Sequence, residues 1–544
     1  MKHVLKLFVL LATSLSFIAV QAQNDSIGKI ELDKVTKYNP ILTAAQKITT
    51  TPYLESVRMD PPTFSYSLPN FAYAVLPTYQ PAKAIGIRTD GDQDLYGNYF
   101  KFGAGNYLTP YGEFQLHSVQ DKKYSYGASG RHLSANAGKP ENADFSDNNI
   151  SIFGSKIGRR GGTLDGKLDY NRQVTRFYGY DHDSFQFEGN DIKQKFNEFE
   201  GKIVYDNTEL KKKFNYSTGL EFYTFSNGYQ RENDYAGSLH TQFNPRKRGT
   251  VDVNAMVDFT HIIEDAKSFN RTFVRISPSY IFDYKKVELE AGFKFAIMLD
   301  SLGDDPFFYP NIKASYFLVP EKVKAFAEVG GDYKKTSLRD LSYLNPFIDT
   351  IHDFVNTSNS IKLEAGLKGT FKKRFDYLLK FNLSSDNSLP LFVSDTSTLR
   401  KFNVVYDDVL TTGFHAGLGM RIDEKLFMQF ATTLYNYSTQ VEAQAWQLPA
   451  FDIDVNVRYT FAKKLDVRIQ LYAIGERFQQ DKSEANTTVT LNPFIDVNLH
   501  ADYRYKENIS FFLNVNNISN ARYQRWYNYP SFGINALAGI TFSL

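Results

Sequence analysis

The chain ends on a strand. Its final residues, 536–544, put Ala536, Ala538, Ile540, Phe542 and Leu544 on one face and Thr541 and Ser543 on the other. A period of two is the signature of a strand with one apolar face. A strand running to the last residue fits the closing strand of a barrel, which needs partners on both edges. The C-terminal strand of a soluble sandwich fits the same residues. What separates the two is how far the alternation extends.

It extends through most of the chain. From Leu95 onward, runs of alternating residues continue to the end, and the clearest are late. Phe451, Ile453, Val455, Val457, Tyr459 and Phe461 share a face, opposite Asp452, Asp454, Asn456 and Arg458. Leu465, Val467, Ile469 and Leu471 oppose Asp466, Arg468 and Gln470. Ile495, Val497, Leu499, Ala501, Tyr503 and Tyr505 oppose Asp496, Asn498, His500, Asp502 and Arg504. A charge at every second position is too costly to face lipid, so Asp452, Asp454, Arg458, Asp466, Arg468, Asp496, His500, Asp502 and Arg504 are expected to line a lumen. A soluble sheet with its polar face in water is the plain alternative. The Tyr- and Phe-ended apolar faces weigh against it.

Composition agrees. Residues 1–22 have a basic start (Lys2, His3, Lys6), an apolar run and a small-residue cut site after Ala22, which is a secretory signal peptide. The chain has no cysteine, so neither a lipoprotein anchor nor a disulfide scaffold is open to it. No apolar run of 18 residues follows the signal, so no transmembrane helix is expected. Aromatics make up 15% of the residues, yet the net charge is only +2 and no basic patch suggests nucleic acid. An exported, aromatic-rich chain with no helical pattern suits a barrel in the outer membrane of a Gram-negative cell.

Residues 23–94 differ in texture. Pro40, Pro52, Pro61, Pro62, Pro69, Pro77 and Pro81 interrupt them, so an extended or irregular segment is expected, with a short helix near residues 42–47. Residues 95–544 are expected to form the barrel.

The connections count the strands. Tight turns fall near residues 121–123, 160–162, 207–213, 244–249, 284–286, 320–322, 371–374, 423–425, 462–464 and 505–508. Longer connections fall near 107, 135–147, 179–191, 227, 264–270, 301–306, 335–356, 386–408, 439–449, 477–488 and 516–533. Together they join about 22 antiparallel strands, an even number with both chain ends on the short-turn, periplasmic side. Parity also settles LPLFVSDTSTLRKFNVVYDD, residues 389–408. A separate strand there would put the turn at Asp423 on the wrong side, so the stretch is expected to be a long loop. The turns are basic and the loops acidic, as an anionic headgroup layer beside the turns favours.

Several stretches resemble known proteins. VNNISNARYQRWYNYPSFGINALAGITFSL, residues 515–544, is similar to the end of TonB-dependent receptor barrels. LYGNYFKFGAGNY, SLRDLSYLNPFI and AWQLPAF resemble receptor-like outer-membrane proteins of the Bacteroidetes type. The resemblance covers residues 38–544 and implies solute uptake across the outer membrane. Two features depart from it. The last residue is Leu544 where an aromatic is usual, with Phe542 two before it. The family also carries a folded plug of well over a hundred residues, whereas about 70 stand here between signal and first strand, with no convincing TonB-interaction box.

No motif for catalysis or phosphate binding stands out, and the GRRGG at residues 158–162 reads as a turn. No catalytic residue, cofactor or metal is expected. Asp300, Asp304 and Asp305 lack the spacing of an EF-hand loop. His500 reads as a wall residue. Two functions remain: a transport barrel whose solute the sequence does not name, or an accessory barrel partnered by other outer-membrane or periplasmic proteins. A 22-stranded lumen normally holds a plug. The Pro-rich segment, inward-folded loops or another protein must fill it.

Overall fold

The computed structural model describes residues 97–544 apart from short stretches. The expected signal peptide, the Pro-rich segment and the helix expected near residues 42–47 lie outside the described residues.

Twenty-four strands share one hydrogen-bonded sheet. Two of them, Arg477–Asp481 and Thr487–Leu491, pair as a hairpin within a single connection. The remaining 22 form a closed antiparallel ring. The ring closes where the first strand, Asn98–Gly105, pairs with the last, Asn535–Ser543, from Tyr99 opposite Ser543 to Gly105 opposite Leu537. The other edge of the last strand is taken by Ile509–Asn516.

Exposure follows the pleat. Leu220, Phe308 and Ile495 are 67%, 66% and 54% exposed, whereas Glu364 is 2% exposed. This is the apolar-out, polar-in pattern of a membrane barrel.

The closing pair is shaped by two glycines. Gly103 and Gly539 face one another in register. A Cβ on Gly539 would lie 2.0 Å from the Phe102 carbonyl oxygen and 2.6 Å from the Phe512 ring. One on Gly103 would lie 2.8 Å from the same ring. Their missing side chains form a notch that seats Phe512, and the Lys101 ammonium lies 4.2 Å from that ring's centroid.

The ten short connections lie where the sequence places them. Residues 285–286 join Lys267–Tyr284 to Val287–Leu299, and 462–464 join Phe451–Phe461 to Leu465–Ile474. Lys285 and Lys463 adopt left-handed backbone angles, φ 61° and 60°, which match tight turns to the strand twist.

Three longer connections differ from expectation: of residues 264–270 only 265–266 lie between strands, and two others depart further. Residues 389–408 are not a long loop. The strands Phe375–Ser394 and Phe402–Arg421 run through most of the stretch, leaving only residues 395–401 as loop. The pairing shifts register between Asp386 and Leu389, where Ser388 has φ 56°, and then resumes. A bulge thus lets the apolar runs Leu389–Val393 and Phe402–Val405 extend two ring strands without adding a strand, so the parity holds. Residues 477–488, expected as loop, hold most of the small hairpin.

Candidate functional site

The long connections converge on one end of the barrel. With strands about 4.8 Å apart and tilted by about 40°, a ring of this size is about 45 Å across. Residues 177–192 connect the fifth and sixth strands, and residues 395–401 connect the fifteenth and sixteenth. The two sit ten positions apart in a ring of 22, almost opposite. Yet the Lys401 ammonium lies 5.0 Å from the Phe177 ring centroid. Contact between opposite rims requires loops that cross the mouth.

What crosses is a packed apolar core. Phe177, Tyr180 and Ile192 from the 177–192 loop meet Leu338, Leu341, Phe347, Ile348, Ile351 and Phe354 from residues 335–356. Phe392 and Phe402 enter from the extended hairpin, and Trp526 and Tyr529 from the last connection. Phe347 stacks on Tyr529 with centroids 3.6 Å apart. Tyr178 stands edge-on to both rings and donates to the Pro530 carbonyl at 3.1 Å. Burial holds the Tyr178 and Tyr529 phenols protonated, well above their ordinary pKa.

A second core lies beside the first. It joins Leu391 and Val393 to Trp446, with Leu448 and Phe478 against them. Strand alternation divides the two: Leu391 and Val393 enter one core and Phe392 the other. The extended hairpin is therefore a septum within the cap.

Residues 335–356 form the cap's centre. Ser337 caps the helix Leu338–Leu344, its hydroxyl accepting from the Asp340 amide at 3.0 Å. The helix stops before Asn345 and Pro346. Polar groups of the barrel wall hold this segment. Lys335 Nζ donates to Asp234, to both Asp258 oxygens at 2.6 and 2.7 Å, and to Thr260. Glu232 accepts from the Leu338 amide at 2.7 Å. Arg339 reaches Glu198 and Glu200 and lies 3.7 Å from the Tyr223 ring centroid. The Gln230 amide bonds both backbone groups of Ile351. Arg271, 2% exposed, donates to Asp300, to the carbonyls of Thr336 and Phe354, and to Asn356. Buried charges in so wide a barrel persist because every one of these is paired or hydrogen-bonded.

The residues expected to line the lumen fall into two groups. Asp452, Asp454 and Asp496 are 4%, 3% and 5% exposed. Asp496 accepts from the Tyr523 hydroxyl at 2.6 Å, so it meets the last connection, while Asp454 accepts from Asn456 and Gln470. Nearer the short turns, Arg458, Asp466, Arg468, His500 and Asp502 line a shallow cleft. Arg458 donates twice to Asp466 at 3.0 Å, and Arg468 sits opposite His500 in register. Arg504 reaches the Lys463 carbonyl at 3.3 Å in the adjoining turn. The two groups do not form a common centre. No group of three or more His, Asp or Glu among the described residues is arranged for a metal ion.

No protein-family model matches the chain, and no curated protein matches it in sequence. Solved structures do match. The FrpB iron transporter from Neisseria meningitidis (F3-3 variant) superposes with TM-score 0.66 at 10% identity, over 83% of this chain and 82% of that one. The ferric-catecholate import receptor Fiu from E. coli K12, in its closed form, gives TM-score 0.62 at 9% identity, over 83% and 82%. The pyoverdine outer membrane receptor FpvA from Pseudomonas aeruginosa PAO1, bound to pyoverdine, gives 0.63 at 11%, over 82% and 78%. At such identities the likeness is one of fold: this chain has the barrel architecture of outer-membrane receptors.

Proposed function

We propose that the protein is an outer-membrane uptake barrel whose own loops close its outer mouth. The observation that carries this reading is the cap, in which connections from almost opposite rims share one apolar core. A sealed mouth keeps small solutes out and makes passage conditional on moving the loops. The expected lumen rows, including Asp466, Arg468, Asp496, His500 and Asp502, give a polar path behind the cap. Similar barrels include an iron transporter and a ferric-catecholate import receptor, so a metal chelate is the first solute class to test.

Reconstitution in planar bilayers tests the closure. The native barrel should conduct poorly, and replacing residues 336–355 with a short Gly-Ser linker should open a wide pore. A wide conductance in the native protein would overturn the reading.

A second reading rests on the polar contacts that fix residues 335–356. A cap held that firmly also suits an accessory barrel that conducts nothing and serves a larger outer-membrane or periplasmic assembly. Copurified partners, with growth on metal chelates unchanged by deletion of the gene, would favour it.

A further inference from the structure

The cap is not held uniformly. On one side, residues 335–356 are tied to the wall strands between Lys193–Asp206 and Lys267–Tyr284 by Lys335, Arg339, Tyr343 and the partners of Leu338 and Ile351. On the other side, the hairpin tip, the small hairpin and the last connection are tied mainly to each other, with Tyr523 of the last connection also bonded to Asp496 of its own stretch of wall. Arg400 pairs with Asp481 at 3.2 Å. Ser394 bridges to Asp481 in parallel register. Arg477, 1% exposed, donates to the carbonyls of Gln524 and Arg525.

Between these two bodies the contacts change character. Phe347, Ile348 and Asp349 meet Phe402 through a parallel bridge and two backbone hydrogen bonds of 3.0 and 2.9 Å. Lys401 pairs with Asp349 at 2.9 Å, where both side chains are partly exposed. The Tyr406 hydroxyl of the hairpin also donates to the Asp353 carbonyl at 2.8 Å, a neutral bond, and Phe347, Tyr178 and Tyr529 add aromatic stacking. Stacked rings slide and separate without stranding a buried charge. Separating Lys335 from Asp234 and Asp258 would strand three.

We infer that the cap is a two-part gate, and that it opens along the aromatic seam between Phe347–Asp349 and Phe402–Tyr529. Residues 335–356 stay on the wall, and the body carrying the hairpin tip and the last connection moves away. This places the moving part of the proposed uptake route and rests on that reading only for its purpose. The seam itself is a property of the fold.

Residue-resolved hydrogen exchange on the native protein in bilayer discs tests the seam directly. The Asp349 and Phe402 amides, which bond across it, should exchange at least about tenfold faster than the Leu338 and Ile351 amides, which bond to the wall. Equal protection, or the reverse order, overturns the inference.

A disulfide then asks whether the seam is the opening. The chain has no cysteine, so Ile348→Cys with Phe402→Cys introduces one pair at bridged positions, within disulfide reach. The reduced double variant should show more frequent openings than the native barrel. Oxidation of the same protein should suppress them at least about tenfold, and reductant should restore them. Openings that ignore oxidation would place the parting elsewhere. Fast seam amides in a barrel that imports no solute would leave the gate standing and remove only the uptake reading.

Discussion

Ile469 and Gln470 are neighbours in sequence and should respond oppositely to the same substitution. Ile469 is the fifth of ten residues in the strand Leu465–Ile474, 44% exposed, between Val457 and Leu499 in register. A strand rising about 3.3 Å per residue at about 40° tilt climbs about 2.5 Å per residue, which puts Ile469 near the middle of the hydrocarbon band. Arg there should cost about 2–4 kcal/mol. Gln470 points the other way. It lies between Asn456 and Asn498 and donates to Asp454 at 3.2 Å. Arg at that position finds a carboxylate already in place, so Gln470→Arg should cost under about 1 kcal/mol. The pair should differ by roughly 2–3 kcal/mol, a factor of about 30–150 in the folding equilibrium. Reversible urea unfolding into phospholipid vesicles, read by Trp fluorescence and by the heat-sensitive gel shift of the folded barrel, measures both. Equal costs, or a larger cost at Gln470, would refute the facing of this strand and of the rows registered against it.

Arg271→Met should loosen the cap without unfolding the ring: taking a buried guanidinium from Asp300, from the carbonyls of Thr336 and Phe354 and from Asn356 costs about 3–5 kcal/mol locally, and Asp300→Asn in the same chain should recover part of it. Exchange of the Leu338 amide reads this, and unchanged protection would count against the buried-pair argument. Gly539→Val should weaken ring closure by about 1–3 kcal/mol or more, because the new Cβ meets the backbone carbonyl of Phe102 as well as the Phe512 ring, and the backbone cannot step aside; a full yield of heat-modifiable barrel at native urea midpoint would refute it. In the turn before Leu426–Thr439, the amides of Lys425 and Leu426 donate to Asp423 at 2.8 Å and hold its carboxyl below its ordinary pKa. The folded value is the depressed one, so this contribution is complete above about pH 3.9 and is lost as pH falls through the folded value. A carboxyl ¹³C titration of Asp423 with its midpoint at or above 3.9 would contradict this.

The ring was legible in the sequence because its two signals are local. Alternation at period two names strands, and turn residues such as Lys285 and Lys463 mark their ends. The cap was not legible, because its contacts pair residues far apart in sequence. Arg271 meets Phe354 and Gln230 meets Ile351, and no spacing announces either. Residues 389–408 were misread for a related reason. Their alternation is real, but parity allows only a separate strand or a loop, and the bulge at Ser388 supplied a third course. Stretches that stood out by resemblance have structural tasks. SLRDLSYLNPFI builds the helix and seam of the cap, AWQLPAF places Trp446 in the second core, and LYGNYFKFGAGNY supplies the first strand with its glycine notch.

That first strand fixes an order of events. Tyr99 and Ser543 are partners in the finished ring, so the bond that joins them waits for almost the whole chain to be made. Until then a partly formed sheet has two bare edges, one at Asn98–Gly105 and one at the last strand yet added. Such edges recruit strands from other copies. Both edges must therefore be shielded until the strand Asn535–Ser543 is in place. Loss of even the final strand would leave Asn98–Gly105 without its closing partner. A truncated product would then be an aggregation hazard, even with every other strand intact.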